Sequence, residues 1–199
     1  MENRTLKTVL IIAAFIVAAI AATAAILFQK GKIAMIAIDE YNQDICSITG
    51  GEADTFTTAH GRSVSIFSIK HGSLAIHAAG KWIYVDPVGK AVEPATDFTD
   101  MPDADLILIT HTHPDHLDTL AINALDSGHT KIVCNPAGAA VLGNGCTVMR
   151  NGDSMEALEG ITVEAVPAYN NSPEKEQFHP AGRDNGYVIT VDRLRIYVY

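Results

Sequence analysis

The sequence predicts a layered α/β domain behind an apolar N-terminal segment. Three observations carry this. Hairpin-spaced alternating segments fill residues 63–85, a continuous apolar run at Asp105–Thr110 stands directly before a helical pattern, and further short strands follow down to Tyr199. Hairpins first and β-α-β connections later belong to layered α/β architectures. With 48% hydrophobic and 19% charged residues in 199, the chain is not disordered and has room for one cored domain plus an appendage.

The elements follow in order. Val9–Phe28 is apolar throughout except for Thr23, with Arg4 and Lys7 before it and Lys30 and Lys32 after it. Twenty helical residues span about 30 Å, the thickness of a bilayer's hydrocarbon core. Residues 1–30 are therefore expected to be a membrane anchor with the domain outside the cytoplasm. If Ala22-Thr23-Ala24 is a cleavage site, they are instead a signal peptide and the domain is exported in soluble form. Residues 31–60 read as a connector, with loop-like sequence at Thr49-Gly50-Gly51 and around Asp54–Thr58. Residues 61–199 form the domain. Ser63–Ile69, Ser73–His77 and Lys81–Val85 read as strands, the last halted by Asp86-Pro87. Asp105–Thr110 suits a strand buried on both faces. A helix over Leu117–Leu125, a strand at Lys131–Cys134, a short helix at Ala137–Leu142 and a strand at Thr147–Arg150 come next. Ile161–Pro167, Tyr187–Val191 and Leu194–Tyr199 complete the set.

A formal net charge of −9 argues against nucleic acid as a partner, because phosphates require a basic face. The cysteines, Cys46, Cys134 and Cys146, show neither a disulfide framework nor C-x-x-C spacing, and read as small buried hydrophobes. A Cys134–Cys146 bridge is open to an exported domain.

Thr110–Asp118 reads Thr-His-Thr-His-Pro-Asp-His-Leu-Asp, at the carboxyl end of a buried strand and immediately before a helix. Ligand sites in α/β sheets form at that position. Imidazole nitrogens and carboxylate oxygens are the donors zinc prefers. His111 and His113 are two apart, so extended backbone turns both to one side and lets them serve one metal. Asp115 and His116 follow the turn at Pro114 and can face a second. Two cations lower the pKa of a water held between them and stabilise the oxyanion formed on attack. Three histidines and an aspartate within six residues are not readily buried unpaired, which argues against an incidental polar loop.

His111-x-His113-x-Asp115-His116 resembles the H-x-H-x-D-H motif of the metallo-β-lactamase superfamily. The extension Leu117-Asp118 resembles the branch that includes ascorbate-6-phosphate lactonase and N-acyl-phosphatidylethanolamine phospholipase D. His71-Gly72-Ser73-Leu74 with Ile83-Tyr84-Val85-Asp86-Pro87 is similar to the opening hairpin of that branch. Ala165–Asn170, Phe178-His179-Pro180 and Gly186–Ile189 are similar to its later strands. The resemblance covers Ser63–Tyr199 and implies an αββα sandwich with one or two metal ions, usually Zn2+, with Mn2+ or Fe2+ as alternatives. It implies His111 and His113 on the first metal, joined by His179, and Asp115 and His116 on the second. The family next supplies a bridging aspartate in Gly-Asp-Thr, directly after a strand like Leu194–Tyr199, and later a final histidine. Neither occurs in this sequence, so the second half of the sandwich is expected to be incomplete and the chain to be a fragment.

Several residues carry two readings. Asp118 either orients a ligand histidine from behind or caps the helix. Asp86 either supports the site from a strand end or serves a turn. His71 and His77, alternating with apolar residues, read as structural; His60 and His129 read as loop residues. Tyr169 and Asn170 either contact substrate or simply keep their loop polar. The functional expectation is a hydrolase in which a metal-activated hydroxide, with Asp115 as catalytic residue, attacks an ester, lactone, amide or phosphodiester in a small-molecule or lipid-like substrate. The alternatives are a membrane-tethered metal-binding module without turnover and a di-iron redox protein on the same scaffold.

Overall fold

The computed structural model describes residues 53–199. The expected anchor over residues 1–30, most of the connector and Cys46 lie outside the described residues. Among the described residues no helix is long and apolar enough to cross a membrane.

Among the described residues, eleven strands form two sheets. The larger runs β1 (Asp54–Thr57), β2 (Ser63–Lys70), β3 (Ser73–Ala78), β4 (Lys81–Val85), β5 (Ala104–Ile109), β6 (Asp126–Cys134) and β7 (Thr147–Val148), in that order. Pairing is antiparallel from β1 to β4 and parallel from β4 to β7. The smaller, antiparallel sheet holds β8 (Ser154–Leu158), β9 (Ile161–Ala168), β10 (Asp184–Val191) and β11 (Leu194–Val198), in the order β11-β10-β9-β8. Two short helices, α1 (Thr119–Leu125) and α2 (Pro136–Leu142), connect the parallel strands.

The two-residue period of the strands sorts side chains between two cores. Ile83 and Val85 of β4 and Leu106 and Leu108 of β5 face the smaller sheet. There they join Ile161, Val163 and Ala165 of β9 and Tyr187, Ile189 and Val191 of β10. Tyr84, Ile107 and Ile109 point the other way and pack with Ala121, Ile122 and Leu125 of α1. The described residues thus make three layers: helix, large sheet and small sheet. A seven-residue helix has little stability alone, so α1 owes its form to that buried face and to its cap.

Three differences from the sequence reading have physical causes. Asp54–Thr57 is strand rather than loop, because its exposed residues pair through backbone with Ser63–Ile66 of β2. β8 was not anticipated; its Ser-Met-Glu-Ala-Leu sequence favours helix, and pairing with β9 overrides that preference. β6 begins at Asp126, five residues before the apolar stretch Lys131–Cys134 that signals it.

The candidate metal centre

The parallel strands β4, β5 and β6 are each followed by a polar, buried residue: Asp86, Thr110 and Asn135. They bond to one another. Asp86 accepts from the Thr110 backbone amide at 2.8 Å and from its hydroxyl at 2.5 Å. Asn135 caps α2 through its Oδ1 and donates through Nδ2 to the carbonyls of Thr110, at 3.3 Å, and Arg183, at 3.0 Å. The histidine loop and the segment before β10 are thereby fixed to the same strand ends.

On this platform the loop turns at Pro114, where the His116 and Leu117 amides both donate to the His113 carbonyl at 2.9 Å. His111, His113 and His179 gather, with ring centroids 4.6 to 4.8 Å apart. His116 stands 4.0 Å from His111 on the other side. One donor atom from each of His111, His113 and His179 lies within 4.8 Å of the others, and the same holds for His71, Asp115 and His116. An open cleft of about 580 Å³ lies over them, lined by His71, Gly72, His111, His116, His179 and Tyr199. A second cavity of about 590 Å³ beside α1 holds no histidine.

Three of the imidazoles are held from behind through Nδ1. His116 Nδ1 lies 2.8 Å from Asp86 Oδ2, and His179 Nδ1 lies 3.0 Å from Asp184 Oδ2. His111 Nδ1 lies 2.9 Å from the Thr110 hydroxyl, which itself donates to Asp86. A carboxylate only accepts, so Nδ1 carries the proton and Nε2 keeps its lone pair. His111 Nε2 is buried and has no hydrogen-bond partner. An orphaned, buried acceptor is costly unless something binds it. The donor sets, three nitrogens in one group and two nitrogens with one oxygen in the other, suit a divalent transition metal.

The electrostatics agree. Burial, followed by the neighbouring His116 and His113, pushes His111 down to about 3. Burial, followed by His179 and Arg183, also lowers His113. Both therefore stay neutral, the form that binds metal. Burial raises Asp115, but its own backbone amide and the adjacent His116, His71 and His113 outweigh this and hold it below the usual carboxylate range. Burial pushes Asp86 up against the pull of His116 and Thr110. For Asp184 the balance reverses: Arg183 and His179 overcome burial and hold it low.

All five residues expected at the metals come together in the structure. Asp86 supports His116 and Thr110 rather than serving a turn alone. Asp118 touches no histidine. Its Oδ1 accepts from Leu120 and Ala121 at the start of α1 and its Oδ2 from Gly89, which makes it a helix cap and loop tie. Asn170 donates from its amide to the His179 carbonyl and from its side chain to the Lys175 carbonyl, closing the loop that delivers His179. His71, read as structural, reaches Asp115. Asp184 and Asn135 carried no sequence signal, since Arg183-Asp184 looks like a surface pair until the fold buries the carboxylate. Cys134 and Cys146 are free thiols.

A two-sheet α/β domain that clusters histidines and an aspartate at the carboxyl ends of its parallel strands has the architecture of a layered metalloprotein fold. Residues 65–198 match the family model described as "Beta-lactamase superfamily domain", and the chain belongs to that family. A UPF0173 metal-dependent hydrolase of Thermococcus onnurineus is 31% identical over 137 residues, covering 67% of this chain and 59% of the relative. Another, of Pyrococcus horikoshii, is 30% identical over 139 residues, covering 67% and 60%. The chain thus spans about three fifths of the length of these curated relatives. Among solved structures, a protein of Parabacteroides distasonis described as a candidate metal-dependent hydrolase superposes with a TM-score of 0.69. It is 44% identical, with 74% of this chain and 64% of that one covered. CmlA, a diiron β-hydroxylase of Streptomyces venezuelae, shares the fold at a TM-score of 0.51 and 17% identity, covering 64% of this chain and 27% of its own.

Proposed function

We propose that this chain carries the metal centre of a metal-dependent hydrolase acting on an ester, lactone, amide or phosphodiester bond, with zinc as the preferred ion. The observation that carries this reading is the buried, unpartnered Nε2 of His111, set among imidazoles whose Nδ1 atoms are tied back to Asp86, Thr110 and Asp184. His111, His113 and His179 would hold one ion, and Asp115 and His116 would face a second position. A divalent cation supplies Lewis acidity toward water and toward the scissile group. The chain's own residues fix the imidazole tautomers and exclude solvent behind the rings. They also leave Asp115, the more exposed carboxylate, partly open to solvent beside His71 and His116, where it can orient water or substrate. The kinship with relatives named metal-dependent hydrolases supports the reaction class. The apolar run Val9–Phe28 supports a tether at a membrane, with a lipid-like or small-molecule substrate reached from its surface.

The test is elemental analysis of the purified chain together with a panel of nitrophenyl esters, lactones, amides and phosphodiesters. Zinc bound in stoichiometric amount, turnover abolished by chelation, and a fall of at least about 100-fold in His111→Ala would support the reading. Bound iron with redox activity would replace it with an oxidoreductase, and bound metal without turnover on any substrate would leave a binding module.

A further inference from the structure

We infer that His71 completes a second cation position with Asp115 and His116, making the turn between β2 and β3 part of the metal centre; this rests on the hydrolase reading above. His71 Nε2 lies 3.0 Å from Asp115 Oδ2, its ring centroid is 5.0 Å from that of His116, and one donor atom of each residue lies within 4.8 Å of the others. Donors sharing one zinc at about 2.0–2.2 Å stand roughly 3.3 Å apart in a tetrahedral shell, so His71 and Asp115 already have the spacing of two ligands of one ion. Two imidazoles and one carboxylate also match the donor preference of zinc and its neighbours.

The turn is shaped for this task. Lys70 pairs with Ser73, so His71 and Gly72 alone make the reversal. His71 sits at φ 47°, the left-handed conformation that a two-residue hairpin turn calls for and that Ala79, Asp192 and Arg193 adopt at the other hairpin turns, and the turn carries its ring to Asp115. At Gly72 a Cβ would lie 2.8 Å from His116 Cε1 and 3.2 Å from its Nδ1, so the backbone is packed directly onto the ligand ring. His116 is thus clasped between the turn on one side and Asp86 on the other. A half-exposed histidine–carboxylate contact contributes little by itself. The packing of Gly72 onto His116, with the donor atoms of His71, Asp115 and His116 gathered within 4.8 Å, is what a shared ion requires and that contact alone does not.

The experiment is a titration of the metal-free full chain with Co2+, followed by its visible absorption, with bound zinc counted in parallel by elemental analysis. The wild type takes up two equivalents. His71→Ala takes up one, losing the second absorption phase and keeping the first, with an unchanged far-ultraviolet dichroism spectrum. Gly72→Ala, which pushes on His116 from the turn, loses the same phase. Two equivalents in His71→Ala with the wild-type spectrum would overturn the inference, as would a single equivalent in the wild type, and both leave the hydrolase reading intact. A wild-type chain that binds neither ion overturns both.

Discussion

At the carboxyl ends of β4, β5 and β6, Asp86, Thr110 and Asn135 lie buried and bonded to one another; at the opposite end of the same strands, Lys81 and Asp105 meet in contact with solvent. Asp105 uses both oxygens, one on Lys81 Nζ and one on the Trp82 amide, each at 2.9 Å. The residue types are similar, but burial separates their energetics. A polar group in solvent gains little by pairing, whereas a buried one must be satisfied and transmits its position rigidly to its partners. The buried network ends on imidazoles, so its effect is to aim His111, His116 and His179; the exposed pair only joins two strands.

Asp86→Ala should break this contrast most severely. It leaves the Thr110 amide, the Thr110 hydroxyl and His116 Nδ1 without their acceptor. A loss of about 3–5 kcal/mol in denaturant titrations of the metal-free protein is expected, together with a 10–100-fold weaker metal affinity, about the effect of removing a group that orients a ligand. Lys81→Ala, at the other end, should cost less than about 1 kcal/mol and leave metal affinity unchanged. Equal effects in the two variants would show that the network has no special role.

Leu106→Ala sharpens the comparison from the core between the sheets. Leu106 is fully buried in the cluster shared with β9 and β10. Its truncation should destabilise by about 3 kcal/mol through lost burial and a residual cavity, yet leave the number of bound ions unchanged. Stability and metal binding would then be separable, as a core remote from the ligands requires. Asp118→Ala comes next. Losing the cap of α1 and the tie to Gly89 should cost about 1 kcal/mol in the same denaturant titrations. Metal content by elemental analysis should not change, because the carboxylate reaches no histidine.

The two regions also differed in how far the sequence disclosed them. The strands with clear alternation or continuous apolar runs were legible; the expected and observed bounds of Lys81–Val85 coincide. His111, His113, Asp115 and His116 were legible because one short segment carries them all. Of the site residues that escaped, His71 and Asn135 act across long chain separations, whereas Asp184 lies five residues from His179 and is marked out only by its burial in the fold. Asn135 donates to Arg183, and His71 meets Asp115, only after several strands have been laid side by side. No local pattern encodes such contacts. β1 and β8 escaped for a different reason: β1 is exposed and joined to β2 through its backbone, and the Ser-Met-Glu-Ala-Leu run of β8 favours helix until pairing with β9 brings Ala157 into the core.

His77 allows the smallest effect to be isolated. It lies half-buried on β3, stacked on Trp82 at a centroid distance of 4.6 Å and away from the metal centre. Burial lowers its pKa from 6.5, only partly offset by Asp105. The unfolded chain therefore takes up a proton at higher pH than the folded one. The stability contributed by the neutral ring is fully present above about 6.5, is lost as pH falls toward the folded value, and then levels off. His111 and His113, also lowered, act in the same direction in metal-free protein. His77→Phe keeps the stacking and removes the titration. Thermal unfolding of chelated protein between about pH 7.5 and about pH 5.5 should then show a shallower decline than the wild type, with the remaining slope set by the site histidines. An identical slope in the variant would mean that His77 keeps its ordinary affinity for protons in the fold, and that acid sensitivity resides wholly at the metal centre.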